Sequence, residues 1–95
     1  MDMDDLQEIA DVYHDAIGQQ ITIRAARVVR KSSIRRLLGL VYGEPDLSDS
    51  ERLQAIEKAQ DNIRRADRVI SEEPRLIDEF RKRLSSAIDK TRGLA

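Results

Sequence analysis

The single histidine is the side chain with the clearest chemical potential in this sequence. His14 stands three residues after Asp11 and directly before Asp15, and an imidazole beside carboxylates can bind a metal ion or transfer a proton. A zinc site needs three or four such ligands, and the chain has no cysteine and no second histidine. We therefore interpret this group as solvated side chains on a helix and expect no metal ion and no cofactor.

The pattern needed for catalysis is also missing. A serine nucleophile requires a neighbouring base, and His14 is the only histidine that could serve. No glycine-rich phosphate loop is present. Most carboxylates fall on the polar faces of predicted helices, where burial cannot shift their pKa values towards those needed for catalysis. The sequence predicts that the protein is not an enzyme.

The basic side chains are concentrated in one segment. Residues 19–43 carry six bases and no acid, whereas residues 1–18 carry six acids and no base. A basic helix can follow a nucleic-acid backbone or acidic headgroups. The residues of this alternative surface are Arg24, Arg27, Lys31 and Arg35. We favour a second interpretation, in which an acidic first helix packs antiparallel to a basic second helix and neutralises it. A helix-turn-helix with its turn at residues 18–20 stays open.

Hydrophobic residues recur every three or four positions along most of the chain, which predicts helices. A first helix is expected to end at Gly18, and a second is expected over 20–42. Ser48 and Glu51 have the spacing of a capping box, so a third helix starts there. Pro74 lies where a fourth helix begins, and Gly93 lies where it ends.

The second predicted helix has two apolar rows on different sides. One row contains Ile21, Ala25, Val28 and Val29. The other contains Ile23, Ala26, Ile34, Leu37, Leu38 and Val41. Such a helix lies between neighbours or contributes one side to a homodimer. The row changes at Lys31-Ser32-Ser33, where a kink or break is expected if the helix is not continuous.

These elements predict an all-α fold, an antiparallel up-down four-helix bundle forming a single domain over 1–95. The expected core is aliphatic with few aromatic rings: Leu6, Ile9, Tyr13, Ile56, Ile63, Phe80, Leu84 and Ile88.

Composition bounds the location of the protein. Charged residues make up 37% of the 95 residues, and the net charge is −1. No apolar run approaches the roughly 18 residues of a membrane span, and the first residues are acidic where a signal peptide would be basic. A cytoplasmic protein is expected.

The second half of the chain resembles a known family. Leu37-Leu38-x-x-Val41-Tyr42, a short acidic loop with proline, Leu47-Ser48-x-x-Glu51-Arg52, and Pro74-Arg75-x-Ile77 before a last helix are similar to the pediocin-like (class IIa, enterocin A type) bacteriocin immunity proteins. The resemblance covers residues 37–95. It implies a small cytoplasmic four-helix bundle without enzymatic activity, which protects a cell from its own bacteriocin at a membrane receptor.

The resemblance also implies a partner and a region of contact. The partner would be the mannose phosphotransferase permease, a membrane-embedded sugar permease complex, and the specificity would lie in the C-terminal half. The candidate partner-binding residues on the last helix are Lys82, Asp89, Lys90 and Arg92. A helical adaptor or oligomerisation module remains the alternative, with nucleic-acid binding through the basic helix as the second.

Overall fold

The computed structural model describes residues 3–43 and 46–93, and most of them are helical. Helix α1 runs over Met3–Tyr42, α2 over Asp49–Ser71 and α3 over Glu73–Thr91. These described ranges contain no strand, so the predicted all-α class is confirmed. Glu44 and Pro45, part of the predicted turn after α1, lie outside the described residues.

The first two predicted helices are one helix. α1 continues through Gly18, so the prediction that this glycine ends a helix is wrong. A glycine inside a helix costs only about 1 kcal/mol relative to alanine, and the inward-facing row of α1 continues across it from Val12 and Ala16 to Ile23. Packing along this row outweighs the local preference of Gly18, and the described residues form three helices rather than four.

The break considered as an alternative at Lys31-Ser32-Ser33 is absent, so the continuous helix expected over this stretch is confirmed. α1 is helical through these three residues. Ser33 is buried, and it stands seven residues after buried Ala26 and seven before Leu40, which is completely buried. The inward row therefore keeps its spacing at the serines, and no new helix needs to start there.

The chain divides into two compact units, each built from part of α1 and one other helix. The first unit comprises the described residues of 1–22 and 72–95. Gln20 donates a hydrogen bond to Glu73 near the start of α3, at 3.2 Å, and Lys90 near its end lies 3.0 Å from Glu8. Since the two chain directions are opposed, α3 is antiparallel to this part of α1.

The second unit comprises the described residues of 23–71. The Arg52 guanidinium donates to the backbone oxygen of Leu40 at 2.6 Å, and Arg30 pairs with Asp67 at 2.7 Å. These contacts join the end of α1 to the start of α2 and an earlier turn of α1 to a later turn of α2. The second part of α1 and α2 are therefore antiparallel as well.

The buried core is small and consists mainly of small side chains. The buried apolar residues are Val12, Ile23, Ala26, Leu40, Ala59, Ala66 and Ala87. The predicted core is only partly correct, because Ile9, Ile56, Ile63, Phe80, Leu84 and Ile88 are half-buried. Leu6 and Tyr13 are exposed, so their assignment to the core is wrong. They lie away from the side of α1 that is centred on Val12.

The helix ends follow their sequence signals. The Glu51 amide donates to the Ser48 hydroxyl oxygen at 3.2 Å, which is the serine half of the predicted capping box. α2 ends and α3 begins just before Pro74, as predicted. Gly93 has φ of 71° and follows the last turn of α3, where its amide donates to the Lys90 carbonyl. The predicted glycine-terminated end is confirmed.

Candidate protein-binding surface

One side of α1 carries apolar side chains that no other part of the described chain covers. We call it the outer face of α1; its residues are Met3, Leu6, Ala10, Ile17 and Ile21 in the first unit, all of them exposed. Ile17 and Ile21, one helical turn apart, are 59% and 60% exposed. From Met3 to Ile21 this row extends about 27 Å along the helix.

The outer face exists because α1 has two apolar sides about half a turn apart. Ile21 and Ile23 are separated by two residues, which is about 200° around a helix. Ile23 is buried at 2% exposure and packs into the second unit, whereas Ile21 points away from the paired helix. The same relation holds between buried Val12 and exposed Ala10. One side of α1 thus packs within the chain, and the opposite side does not.

The two rows predicted for the second helix are present on α1. The whole first row is exposed: Ile21, Ala25, Val28 and Val29. In the second row, Ile23 and Ala26 are buried and Ile34 and Leu37 are half-buried. Leu38 and Val41, assigned to that row, are exposed instead. Both lie away from the side of the helix that contains buried Leu40, which continues the inward spacing from Ser33 and Leu37.

The acidic and basic segments lie end to end on the same helix. The prediction that they form two helices packed against each other is therefore wrong. Within the first unit, Asp15 accepts from Arg83 of α3 at 3.1 Å and Glu8 from Lys90. Within the second unit, the basic segment is joined to α2 by the Arg30–Asp67 pair. The acidic half of α1 thus pairs with α3, and the basic half pairs with α2.

The alternative basic surface is placed on one side of α1. Its residues are Arg24, Arg27, Lys31 and Arg35, and all four are exposed. Their spacing of three, four and four residues keeps them within about a quarter of the helix circumference. These exposed cations follow the apolar outer face along α1, beyond Ile21.

The partner-binding residues predicted on α3 do not form one cluster. Lys82 and Asp89 line a shallow groove with Arg81, Ser85 and Ser86. Lys90 instead pairs with Glu8 of α1, and Arg92 is the C-cap residue, whose backbone amide donates to Ile88.

The side chain of Lys82 forms an ion pair with a residue of its own helix. Its ammonium lies 2.9 Å from Asp78 one turn earlier, and the side chain stays 76% exposed. The hydrogen bond and charge of Asp78 raise the pKa of Lys82 above its ordinary value. Lys82 is therefore cationic at neutral pH and accessible to an acidic group on a partner.

His14 is exposed on α1, as the solvated interpretation expects. In the described ranges, no group of three or more acidic, histidine or cysteine side chains is close enough to hold a metal ion. The helices of these ranges are also not long and apolar enough to cross a bilayer.

Sequence reasoning missed the full length of the outer face, because it divided α1 at Gly18. The predicted core places Leu6 and Tyr13 with Ile9, although both lie to one side of Ile9 on the helix and are exposed. The usable signal was the inward row Ile9, Val12, Ala16, Ile23 and Ala26, which has coiled-coil spacing across Gly18.

Among known proteins, no family model, curated sequence or solved structure matches the chain.

Proposed function

We propose that this protein is a non-enzymatic protein-binding module that acts through the outer face of α1. The observation that carries the proposal is the exposed pair Ile17 and Ile21, in an apolar row opposite the packed side of the helix. Single exposed apolar residues are ordinary on a protein surface, but a continuous row marks an interaction site. Helix faces with apolar residues at this spacing are a recurring means of peptide and protein recognition.

The relation between buried and exposed residues supports the same function. Three large apolar side chains are buried in the described chain, namely Val12, Ile23 and Leu40, whereas twelve are exposed. Burying an aliphatic side chain of this size contributes about 1.5–3 kcal/mol. A partner that covers Leu6, Ile17 and Ile21 therefore supplies apolar burial that the chain alone lacks.

Site-specific photocrosslinking in the cell that produces the protein tests this function. A photoreactive phenylalanine derivative at position 21 is expected to give a protein adduct. The same group at position 53 is the matched control, because Leu53 is 61% exposed but belongs to a different helix, α2. Absence of an adduct at position 21, or equal adducts at both positions, would contradict the proposal.

Bacteriocin immunity is the second candidate function. It is favoured by α2 and α3, whose bounds agree with the segments that carry the resemblance, including the helix starts near Ser48 and Pro74. The accessible groove beside Lys82 and Asp89 would then face the receptor complex from the cytoplasmic side. Expression in a cell sensitive to pediocin-like bacteriocins should raise its resistance, and a lack of protection across a broad panel would exclude this candidate.

A further inference from the structure

We propose that a groove between the second part of α1 and α2 binds the phosphate group of a small soluble molecule. We call it the serine groove; its polar lining residues are Ser32, Ser33, Arg36, Lys58 and Asn62. They all belong to the second unit, whereas the outer face of α1 belongs to the first. The proposal therefore goes beyond the protein-binding function and does not depend on it.

The two cations of the serine groove lie on opposite walls at about the same level. α1 supplies Arg36 and α2 supplies Lys58. The two helices are antiparallel here, with Arg52 of α2 in contact with the backbone oxygen of Leu40 of α1. Arg36 stands one turn before Leu40, and Lys58 stands between one and two turns after Arg52. An anion in the groove would therefore lie between the two positive charges.

Neutral hydrogen-bond donors lie one helical turn away from the cations. Ser32 precedes Arg36 by four residues, and Asn62 follows Lys58 by four, so each donor is a neighbour of the cation on its own helix. A hydroxyl and a side-chain amide can both donate to an anionic oxygen. A phosphate group carries several acceptor oxygens, so it can accept from both walls of the groove at once.

The lining also includes a buried serine in a row of otherwise apolar positions. Ser33 is only 6% exposed, and it stands in the inward row of α1 between buried Ala26 and buried Leu40. An apolar side chain at this position would add burial to a core that is already small. The serine instead adds a hydroxyl to the groove, beside buried Ala59 of α2, whose small side chain leaves space next to it.

The sign of the charge distinguishes the serine groove from three other grooves on the described chain. Those grooves have Asp11, Asp67 and Asp89 in their linings. The described residues that line the serine groove include no acid. Lys58 is exposed, and within residues 3–43 and 46–93 it has no ion-pair partner. The groove is therefore positively charged on a chain whose net charge is −1.

Size and chemistry together favour a small phosphorylated molecule. The groove has a volume of about 480 Å³, within the range of roughly 300–1,000 Å³ that is usual for small-molecule sites. This volume exceeds that of a phosphate group and leaves room for the molecule that carries it. Lysine binds phosphate as a point charge, and arginine binds it through a planar fork of donors.

Nuclear magnetic resonance of the full ¹⁵N-labelled chain tests the site with inorganic phosphate as the probe. Phosphate replaces sodium chloride at constant ionic strength, so that general screening does not change. Saturable shifts are expected at the amides of Ser32, Ser33, Lys58 and Asn62, with a Kd of about 1–10 mM. Unchanged amides in the groove, or shifts distributed over the exposed cations of the whole chain, would overturn the proposal.

Two substitutions in the groove test which side chains hold the phosphate. Lys58→Gln removes one cation and is expected to raise the Kd about fivefold or more. Asn62→Asp keeps the shape of the side chain, adds a negative charge to the lining, and is expected to abolish saturable binding. The control Arg64→Gln removes an exposed cation elsewhere on α2 and should leave the Kd within about twofold.

The two groove variants also separate a local effect from an effect of total charge. Equal weakening by Lys58→Gln and Arg64→Gln would show that only net charge matters and would overturn the proposal. Circular dichroism checks that the variants are folded. Since Lys58 is exposed, its substitution gives the decisive result even if Asn62→Asp unfolds the chain.

Glycerol 3-phosphate and lipid vesicles distinguish the two sources of such a phosphate group. The soluble ester is expected to shift the same amides as inorganic phosphate, with a Kd no higher. Vesicles of phosphatidylcholine with phosphatidic acid are expected to leave the chain in the supernatant after centrifugation. Vesicle binding that is lost in Lys58→Gln, without binding of the soluble ester, would assign the groove to a lipid headgroup and overturn the proposal of a soluble ligand.

Discussion

Tyr13 and Phe80 pack edge to face, with 5.6 Å between their ring centroids and 65° between the ring planes. Tyr13 belongs to α1 and Phe80 to α3, so the contact joins the two helices of the first unit. Phe80 is half-buried, and Tyr13 remains 48% exposed. The pair therefore shelters one side of each ring and leaves the tyrosine at the edge of the outer face of α1.

Replacement of Phe80 by alanine is expected to lower the free energy of unfolding by about 1–3 kcal/mol. An edge-to-face pair contributes about 0.5–1.5 kcal/mol beyond area burial, and a half-buried ring loses less than the roughly 3–5 kcal/mol of a fully buried one. Urea denaturation measures the change. A double-mutant cycle with Tyr13→Ala should give a coupling near the aromatic value, and zero coupling would show that the rings do not stabilise each other.

Replacement of Gly18 by alanine is expected to stabilise the protein by about 0.5–1 kcal/mol. Gly18 lies inside α1 and has no positive φ, and a Cβ added to it meets nothing within 4 Å. Alanine therefore gains helix propensity without a clash. Thermal unfolding followed by circular dichroism measures the effect, with Ser85→Ala on the exposed side of α3 as a control for a general alanine effect. A lower melting temperature for Gly18→Ala would indicate that the helix needs a glycine there.

Most of the helical content could be predicted, because it depends on local spacing and capping. The helix ends predicted from Ser48, Pro74 and Gly93 agree with those of the structure to within a residue or two. The continuity of α1 through Gly18 could not be predicted from local chemistry, since it depends on packing of Val12 and Ile23 against other helices. The exposed side of α1 was evident as a second apolar row, but its extension to Met3 required the helix to be continuous.

The protein should not bind a random oligonucleotide at physiological salt. The exposed cations on one side of α1 are few, and the net charge of the chain is −1. Nucleic-acid binders that use several phosphate contacts lose affinity steeply as salt rises. Fluorescence anisotropy between about 0.05 and 0.2 M salt measures this. Micromolar binding that is lost on Arg24→Glu and Lys31→Glu would instead support a nucleic-acid interface.

If the second candidate function is correct, Lys82 should contribute to protection without contributing to folding. Lys82 is 76% exposed, and its ion pair with Asp78 lies within one helix, where such pairs are worth about 0.3–0.5 kcal/mol. Lys82→Glu should therefore reduce the resistance that expression confers on a sensitive cell, while the melting temperature changes by a few degrees or less. Lys90 is less suitable for the test because it also joins α3 to Glu8. Arg64→Glu, at an exposed arginine on α2, is the matched control. Protection that is unchanged by Lys82→Glu, or lost equally with Arg64→Glu, would exclude the groove on α3 as the site of recognition.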